Sequence, residues 1–122
     1  MVKILIVEDD KVLIEMYETR LLMEEMDVHK AIDGQEALEK LESIVYDLVL
    51  LDIMLPKVDG ITILKKVRAS NWPVKHKPIL VFSNLGQAED IKMALDEGAT
   101  EYLIKHMITP NEVVAKIKKY LK

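Results

Sequence analysis

Apolar runs of strand length alternate along this chain with segments in which apolar residues recur at helical spacing. The predicted strands are residues 3–7, 28–32, 48–51, 79–82 and 102–104. The predicted helices are residues 11–25, 35–43, 61–68 and 88–97, with a fifth that begins near Thr109. Because the strands are almost continuously apolar, helices must cover both faces of their sheet. The pattern therefore predicts one α/β domain over residues 1–122, with a parallel sheet between two helical layers.

Polar residues and glycine mark where several of these elements begin or end. Asp10 is predicted to cap the first helix, and Thr109 with Pro110 to begin the fifth, because these residue types are typical of the first helical positions. Gly98 follows the fourth helix, where a residue with positive φ is common. The predicted buried face of the first helix consists of Leu13, Tyr17 and Leu21.

Acids, a hydroxyl and a lysine follow the ends of four predicted strands. Glu8 and Asp9 follow the first strand, Asp52 the third, Ser83 the fourth and Lys105 the fifth. The carboxyl ends of parallel strands share one edge, and ligands of such sheets bind outside that edge. Carboxylates there can hold a hard cation, which then accepts phosphate oxygens. The sequence therefore predicts a metal-assisted phosphoryl site.

Each of these residues also has a simpler structural explanation. A single acid or serine after a strand often caps the next helix, and Asp10 is assigned that role alone. A lysine is usually a solvated surface residue. Adjacent Glu8 and Asp9, however, repel each other unless a cation relieves them, and Asp52 after a buried run needs a partner. We expect Lys105 to supply part of that positive charge.

Composition and charge narrow the class of protein. Half of the 122 residues are hydrophobic, which is enough for an independent core. The chain has no cysteine, which excludes disulfides, thiolate catalysis and cysteine-ligated zinc and favours a reducing compartment. A net charge of −4 argues against a broad nucleic-acid surface. We find no signal peptide or membrane-spanning run, so we expect a soluble, cytoplasmic protein.

The segments around these residues resemble the receiver domain of bacterial two-component response regulators. The matching segments are residues 4–10, 33–38, 47–56 with Asp59 and Gly60, and 98–105. In this order and spacing they are specific, and the likeness covers essentially all 122 residues. The resemblance implies a CheY-like fold, the flavodoxin-like three-layer sandwich whose five-stranded parallel sheet has the order 2-1-3-4-5.

The resemblance also implies a phosphorylation chemistry. Asp52 would accept a phosphoryl group from a phosphohistidine on a sensor histidine kinase or phosphotransfer protein, or from a small donor such as acetyl phosphate. Asp9 and Asp52 would bind Mg²⁺ together with the backbone carbonyl of Met54, and Glu8 would act through water. Such a domain assists its own phosphorylation and dephosphorylation and is not otherwise an enzyme.

Two further residues correspond to the family's switch. The hydroxyl of Ser83 would move to bond the phosphoryl group, to which Lys105 would also bind, and Tyr102 would then turn inward. The output would be a changed surface on the fourth helix, fifth strand and fifth helix, read by a downstream protein target. Without a switch, Tyr102 would simply pack at the sheet edge. We expect a monomer, or a weak homodimer upon phosphorylation, with no direct contact to nucleic acid or membrane.

The fifth helix is basic. Its lysines are Lys116, Lys118, Lys119 and Lys122. Because positive charge near a helix C-terminus offsets the negative end of the helix dipole, much of this pattern needs no partner.

This sequence departs from the family's usual pattern at three positions. His106 stands where a proline is common after the lysine, and because a non-proline cis bond costs about 2.5–4 kcal/mol, we expect a trans Lys105–His106 bond. Asn84 follows Ser83 where alanine or glycine is frequent, so its side chain could narrow access for a donor or for water. Glu25 stands where glycine often ends the first helix, which concerns stability.

Three other classes of protein share parts of this pattern. A haloacid-dehalogenase-type phosphatase needs a second acid two residues after its aspartate, and Met54 stands there. A flavodoxin needs a phosphate loop after the first strand, where Glu8, Asp9 and Asp10 would repel the phosphate. A pseudo-receiver that acts only through protein contacts remains the alternative, although the full set of acids, hydroxyl and lysine disfavours it.

Overall fold

The computed structural model describes residues 1–121 and contains one five-stranded parallel sheet. The strands are β1 Lys3–Val7, β2 Asp27–Ala31, β3 Leu48–Leu51, β4 Ile79–Ser83 and β5 Glu101–Ile104. The helices are α1 Lys11–Leu22, α2 Gly34–Ser43, α3 Gly60–Ala69, α4 Ala88–Asp96 and α5 Pro110–Tyr120, and a 3₁₀ turn at Lys105–Met107 precedes α5. The strand order is β2-β1-β3-β4-β5, which confirms the order that the resemblance implied.

The core consists of two apolar clusters, one on each face of the sheet. Successive strand residues point to opposite faces, so Leu5 and Val7 of β1 join one cluster while Ile4 and Ile6 join the other. The first cluster includes residues of α2, α3 and α4, and the second includes residues of α1 and α5. This arrangement confirms the predicted three-layer sandwich.

The first helix and second strand differ from their predicted bounds. Helix α1 ends at Leu22 rather than Glu25, because the following residues turn and Glu25 has a φ of 62°. Strand β2 covers Asp27–Ala31, one residue earlier than predicted at each end, and Ile32 is exposed. The fully packed face of α1 contains Ile14 in place of Leu13, which is only partly buried. Both residues have helical spacing with Tyr17, so sequence periodicity did not distinguish them.

The other helices begin and end within one residue of their predicted bounds, and the predicted residues at the helix ends are confirmed. The Asp10 side chain accepts the Val12 and Leu13 N–H groups at 3.0 and 3.3 Å. Thr109 caps α5, and Gly98 has a φ of 108° after α4. None of the helices among residues 1–121 has the length and apolarity to cross a membrane. Lys122, the last lysine predicted for the basic helix, lies outside the described residues.

Candidate functional site

Two of the predicted acids continue the sheet just beyond its carboxyl edge. The N–H of Glu8 donates to the carbonyl of Ala31, and the N–H of Asp52 donates to the carbonyl of Val7, both at 3.0 Å. These bonds extend the β1–β2 and β1–β3 ladders by one residue. The backbone of each acid is therefore held by the sheet, and both side chains are buried, with 3% of Glu8 and 5% of Asp52 exposed.

Lys105 binds both of these buried carboxylates. Its Nζ lies 2.6 Å from Glu8 Oε1 and 2.8 Å from Asp52 Oδ2. The 3₁₀ turn after β5 begins at Lys105 and brings the ammonium over the Phe82 ring, 5.5 Å from the ring centroid. The predicted pairing of Lys105 with the acids therefore has a specific form: one half-buried cation between two carboxylates from different strands.

The second oxygen of each carboxylate accepts a backbone N–H. Glu8 Oε2 accepts the N–H of Asp10 at 3.2 Å, and Asp52 Oδ1 accepts the N–H of Met54 at 3.0 Å. Each side chain is therefore held at both oxygens. Within residues 1–121, every buried side-chain nitrogen or oxygen atom has a hydrogen-bond partner.

The third acid, Asp9, lies at the exposed side of the same cluster. One carboxylate oxygen from each of Glu8, Asp9 and Asp52 lies within 4.8 Å of the others. Oxygen-only donors at this spacing fit Mg²⁺, which binds few protein carboxylates and keeps waters that a phosphate can replace. The Met54 N–H already bonds Asp52, and participation of its carbonyl in metal binding stays a prediction.

Burial and charge shift the pKa values in this cluster. Burial raises the pKa of Glu8, and the nearby Asp52 carboxylate raises it further, while the hydrogen bond from Lys105 opposes both effects. Burial alone would lower the pKa of Lys105, but its bonds to Asp52 and Glu8 outweigh burial, and the net pKa lies above its ordinary value. The ammonium is therefore retained while the acid cluster carries unfavourable negative charge.

The predicted switch residues, Ser83 and Tyr102, both bond to Leu85. The Ser83 side chain is fully buried, and its oxygen accepts the N–H of Leu85 at 3.3 Å. The Tyr102 ring is half-buried, and its hydroxyl donates to the carbonyl of Leu85. Sequence reasoning missed Leu85 because its contribution comes from backbone atoms, which leave no signal in residue type.

Two residues that depart from the family pattern contact each other. His106 Nδ1 lies 3.3 Å from Asn84 Oδ1, so the ring N–H can donate to the amide oxygen. The Lys105–His106 peptide bond is trans, as expected. The sequence marked both positions separately. The sheet register of the structure accounts for their contact, because β4 and β5 end opposite each other at Ser83 and Ile104.

The lysines of α5 are largely paired within the chain. Lys116 binds Glu101 at 2.6 Å, and Lys118 binds Glu24 at 2.7 Å. Glu101 also accepts the hydroxyl of Tyr120. These pairs connect α5 with β5 and with the turn after α1, so the basic character of this helix is partly explained by internal contacts.

Comparison with known families identifies one match to nearly the whole chain. Residues 4–118 match the response regulator receiver domain model. The chain is 37% identical over 120 residues to PhoP of Bacillus subtilis, an alkaline phosphatase synthesis transcriptional regulatory protein, covering 98% of this chain and 48% of PhoP. It is 35% identical to the response regulator ArlR of Staphylococcus aureus, covering 100% of this chain and 53% of ArlR. The chain thus spans about half the length of these relatives.

Solved structures share the fold at similar identity. The receiver domain of the Francisella response regulator 1452 matches with a TM-score of 0.90 and 29% identity, over 99% of this chain and 97% of that one. The BeF3-activated N-terminal receiver domain of Klebsiella pneumoniae RstA matches with a TM-score of 0.88 and 32% identity, over 98% of each chain.

Proposed function

We propose, because this chain belongs to the response regulator receiver domain family of two-component systems, that Asp52 is its phosphoacceptor. The observation that carries this proposal is the position of Asp52, buried at the carboxyl edge, within 2.8 Å of Lys105 and beside two further acids. The sheet edge can orient such an aspartate for attack, while the surrounding groups stabilise the negative charge of the phosphoryl group.

The reaction is a transfer between two protein groups. A carboxylate oxygen of Asp52 forms a bond to phosphorus while the phosphorus–nitrogen bond of a donor phosphohistidine breaks, and the donor imidazole keeps the electron pair. Bound Mg²⁺ would supply positive charge at Glu8, Asp9 and Asp52 that offsets the charge of the phosphoryl oxygens. The three carboxylates would then be balanced by the metal together with Lys105.

Lys105 has a second role in this proposal. Its ammonium now bonds Glu8 and Asp52, and phosphorylation converts one Asp52 carboxylate oxygen into the bridging oxygen of a mixed anhydride, which carries less negative charge. The new phosphoryl oxygens become the stronger acceptors, so Lys105 reorients towards them. This exchange requires no movement of the sheet. The 3₁₀ turn already holds the Lys105 backbone at the site, and the four-carbon side chain is flexible enough to redirect the ammonium.

The switch begins when the Ser83 hydroxyl turns towards the phosphoryl group. The Leu85 N–H then loses its present acceptor, and the loop between β4 and α4 can shift. The Tyr102 ring then turns inward, because its hydroxyl is bonded to the carbonyl of the shifting Leu85. Phosphorylation thereby biases a pre-existing equilibrium of the surface formed by α4, β5 and α5.

The partners follow from this chemistry. The donor is a sensor histidine kinase or phosphotransfer protein, and the reader is a downstream protein that binds the α4-β5-α5 surface of a monomer or a weak homodimer. The domain assists its own phosphorylation and dephosphorylation through Ser83, Lys105 and the metal-binding groups. These groups are the carboxylates of Glu8, Asp9 and Asp52 and the backbone carbonyl of Met54. Intact mass after treatment with Mg²⁺ and acetyl phosphate tests the proposal: one added phosphoryl group supports it, and an unchanged mass contradicts it.

A further inference from the structure

The hydrogen bond between Asn84 and His106 joins the two loops that carry the phosphate-binding side chains. Asn84 directly follows the buried Ser83, and His106 directly follows Lys105. Both Asn84 and His106 are exposed, and their side-chain atoms meet at 3.3 Å. The contact therefore lies on the solvent side of the groups that would hold a phosphoryl group.

The sheet register places this contact beyond Asp52. Leu51 of β3 is opposite Val81 of β4, so Asp52 is level with Phe82, one residue before Ser83. Ser83 is in turn opposite Ile104 of β5. Asn84 and His106 thus follow the last paired residues of β4 and β5, and their backbones lie farther along the strand direction than the backbone of Asp52.

We propose that the Asn84–His106 pair slows the loss of the phosphoryl group from Asp52, an inference that rests on the proposed function. In that loss, a water oxygen forms a bond to phosphorus and the bond between phosphorus and the Asp52 oxygen breaks. The Asp52 carboxylate is regenerated, and the water protons pass to the departing inorganic phosphate and to solvent. Asn84 and His106 act as positioning residues and do not take part in the bond changes.

The geometry gives two physical reasons for this effect. The attacking and leaving oxygens of a phosphoryl transfer lie roughly in line, so water must approach from the side opposite the buried Asp52 oxygen, which is the solvent side. The bonded pair is exposed and follows the ends of β4 and β5, so we place it beside that approach. The same bond restrains the loops next to Ser83 and Lys105, which keeps their side chains on the phosphoryl oxygens and leaves less room for an attacking water.

A double-mutant cycle on the rate of phosphoryl loss tests the pair. The parent, His106→Ala, Asn84→Ala and the double variant are phosphorylated with acetyl phosphate and Mg²⁺, the donor is removed, and intact mass is followed with time. We expect His106→Ala to lose the phosphoryl group about threefold faster than the parent. A change of this size is the rate effect that corresponds to the loss of one modest hydrogen bond. In the Asn84→Ala background, the same His106 change should have no further effect.

Matched variants separate this role from a general loosening of the fold. His106→Gln keeps a donor and should restore a rate close to that of the parent. His76→Ala and Asn71→Ala make the same changes at exposed positions in the α3–β4 loop, at the opposite edge of the sheet, and should leave the rate unchanged. The thermal unfolding midpoints of all variants should agree with that of the parent, because the exchanged residues are exposed.

Other outcomes overturn the inference. Unchanged or slower loss in His106→Ala, or effects of the two single variants that multiply in the double variant, would show that the pair does not act as a unit. A parent that gains no phosphoryl group overturns the proposed function and this inference together, whereas a phosphorylated parent with an additive cycle overturns the inference alone.

Discussion

Ser83 and Tyr102 are connected through one residue, Leu85, whose N–H donates to the Ser83 hydroxyl oxygen at 3.3 Å and whose carbonyl accepts the Tyr102 hydroxyl. A movement of Ser83 towards the phosphoacceptor therefore removes one of the two bonds that hold this residue. The connection gives the proposed switch a physical path from the site to the α4-β5-α5 surface.

The first prediction concerns this path. Beryllofluoride with Mg²⁺, a mimic of the acyl phosphate, should change amide exchange in residues 85–95 and 99–107, while α2 stays constant. Tyr102→Phe removes the bond to the Leu85 carbonyl and should weaken the response in residues 99–107. Tyr120→Phe is the matched control, because its hydroxyl bonds Glu101 and not Leu85. If only the loops beside the metal-binding acids respond, phosphorylation does not reach this surface.

The second prediction concerns magnesium and stability. A cation that binds only the folded state should raise the free energy of unfolding by about 1.4 kcal/mol at ten times its dissociation constant. Urea unfolding with and without Mg²⁺ measures this gain. Asp9→Asn should reduce the gain, because it removes one carboxylate of the cluster. Asp10→Asn keeps the helix cap and should retain the gain, so equal responses of the two variants would refute the assigned metal ligands.

The third prediction is a pH dependence in metal-free buffer. The pKa of Glu8 is raised above its ordinary value of 4.5, mainly by burial, so the folded state holds a proton that the unfolded state releases. Stability that depends on Glu8 is therefore lost as the pH rises from 4.5 through the folded pKa. Glu8→Gln should not show this loss. Over this pH range, the free energy of unfolding of the variant should therefore rise relative to that of the parent. If the free energies of unfolding of the two proteins changed in parallel with pH, the raised pKa of Glu8 would be contradicted.

The fourth prediction concerns the turn after α1. Glu25 adopts a φ of 62°, a region that costs a residue with a side chain roughly 1 kcal/mol and costs glycine little. Glu25→Gly should therefore raise the free energy of unfolding by about 1 kcal/mol in urea titrations. Glu24→Gly is the matched change at the preceding residue, which has no positive φ and binds Lys118, and it should lower stability. A loss of stability in both variants would show that the turn carries no strain.

Hydrophobic periodicity and the residues at the strand ends were enough to predict the order of the elements. They also predicted that the site lies at the carboxyl edge of the sheet. Glu8, Asp52, Ser83 and Lys105 could be placed together because each follows the end of a strand in a parallel sheet. The buried face of α1 could not be chosen, since Leu13 and Ile14 both fit the helical spacing.

The contacts near the ends of β4 and β5 could not be predicted from the sequence either. The bonds of Ser83 and Tyr102 to Leu85 use backbone atoms, which every residue type possesses. The contact of Asn84 with His106 depends on where β4 and β5 end relative to each other, and strand patterns predict such ends only to within a few residues.

The central claim, that Asp52 is the phosphoacceptor, is tested most directly by intact mass combined with site-resolved fragmentation after treatment with Mg²⁺ and acetyl phosphate. We predict one phosphoryl group per chain, located on Asp52, and none without Mg²⁺. Asp52→Asn should remain unmodified, whereas Asp59→Asn, which changes an exposed helix cap seven positions later, should be modified like the parent. Equal modification of Asp52→Asn and the parent, or a parent whose mass does not change, would contradict the account.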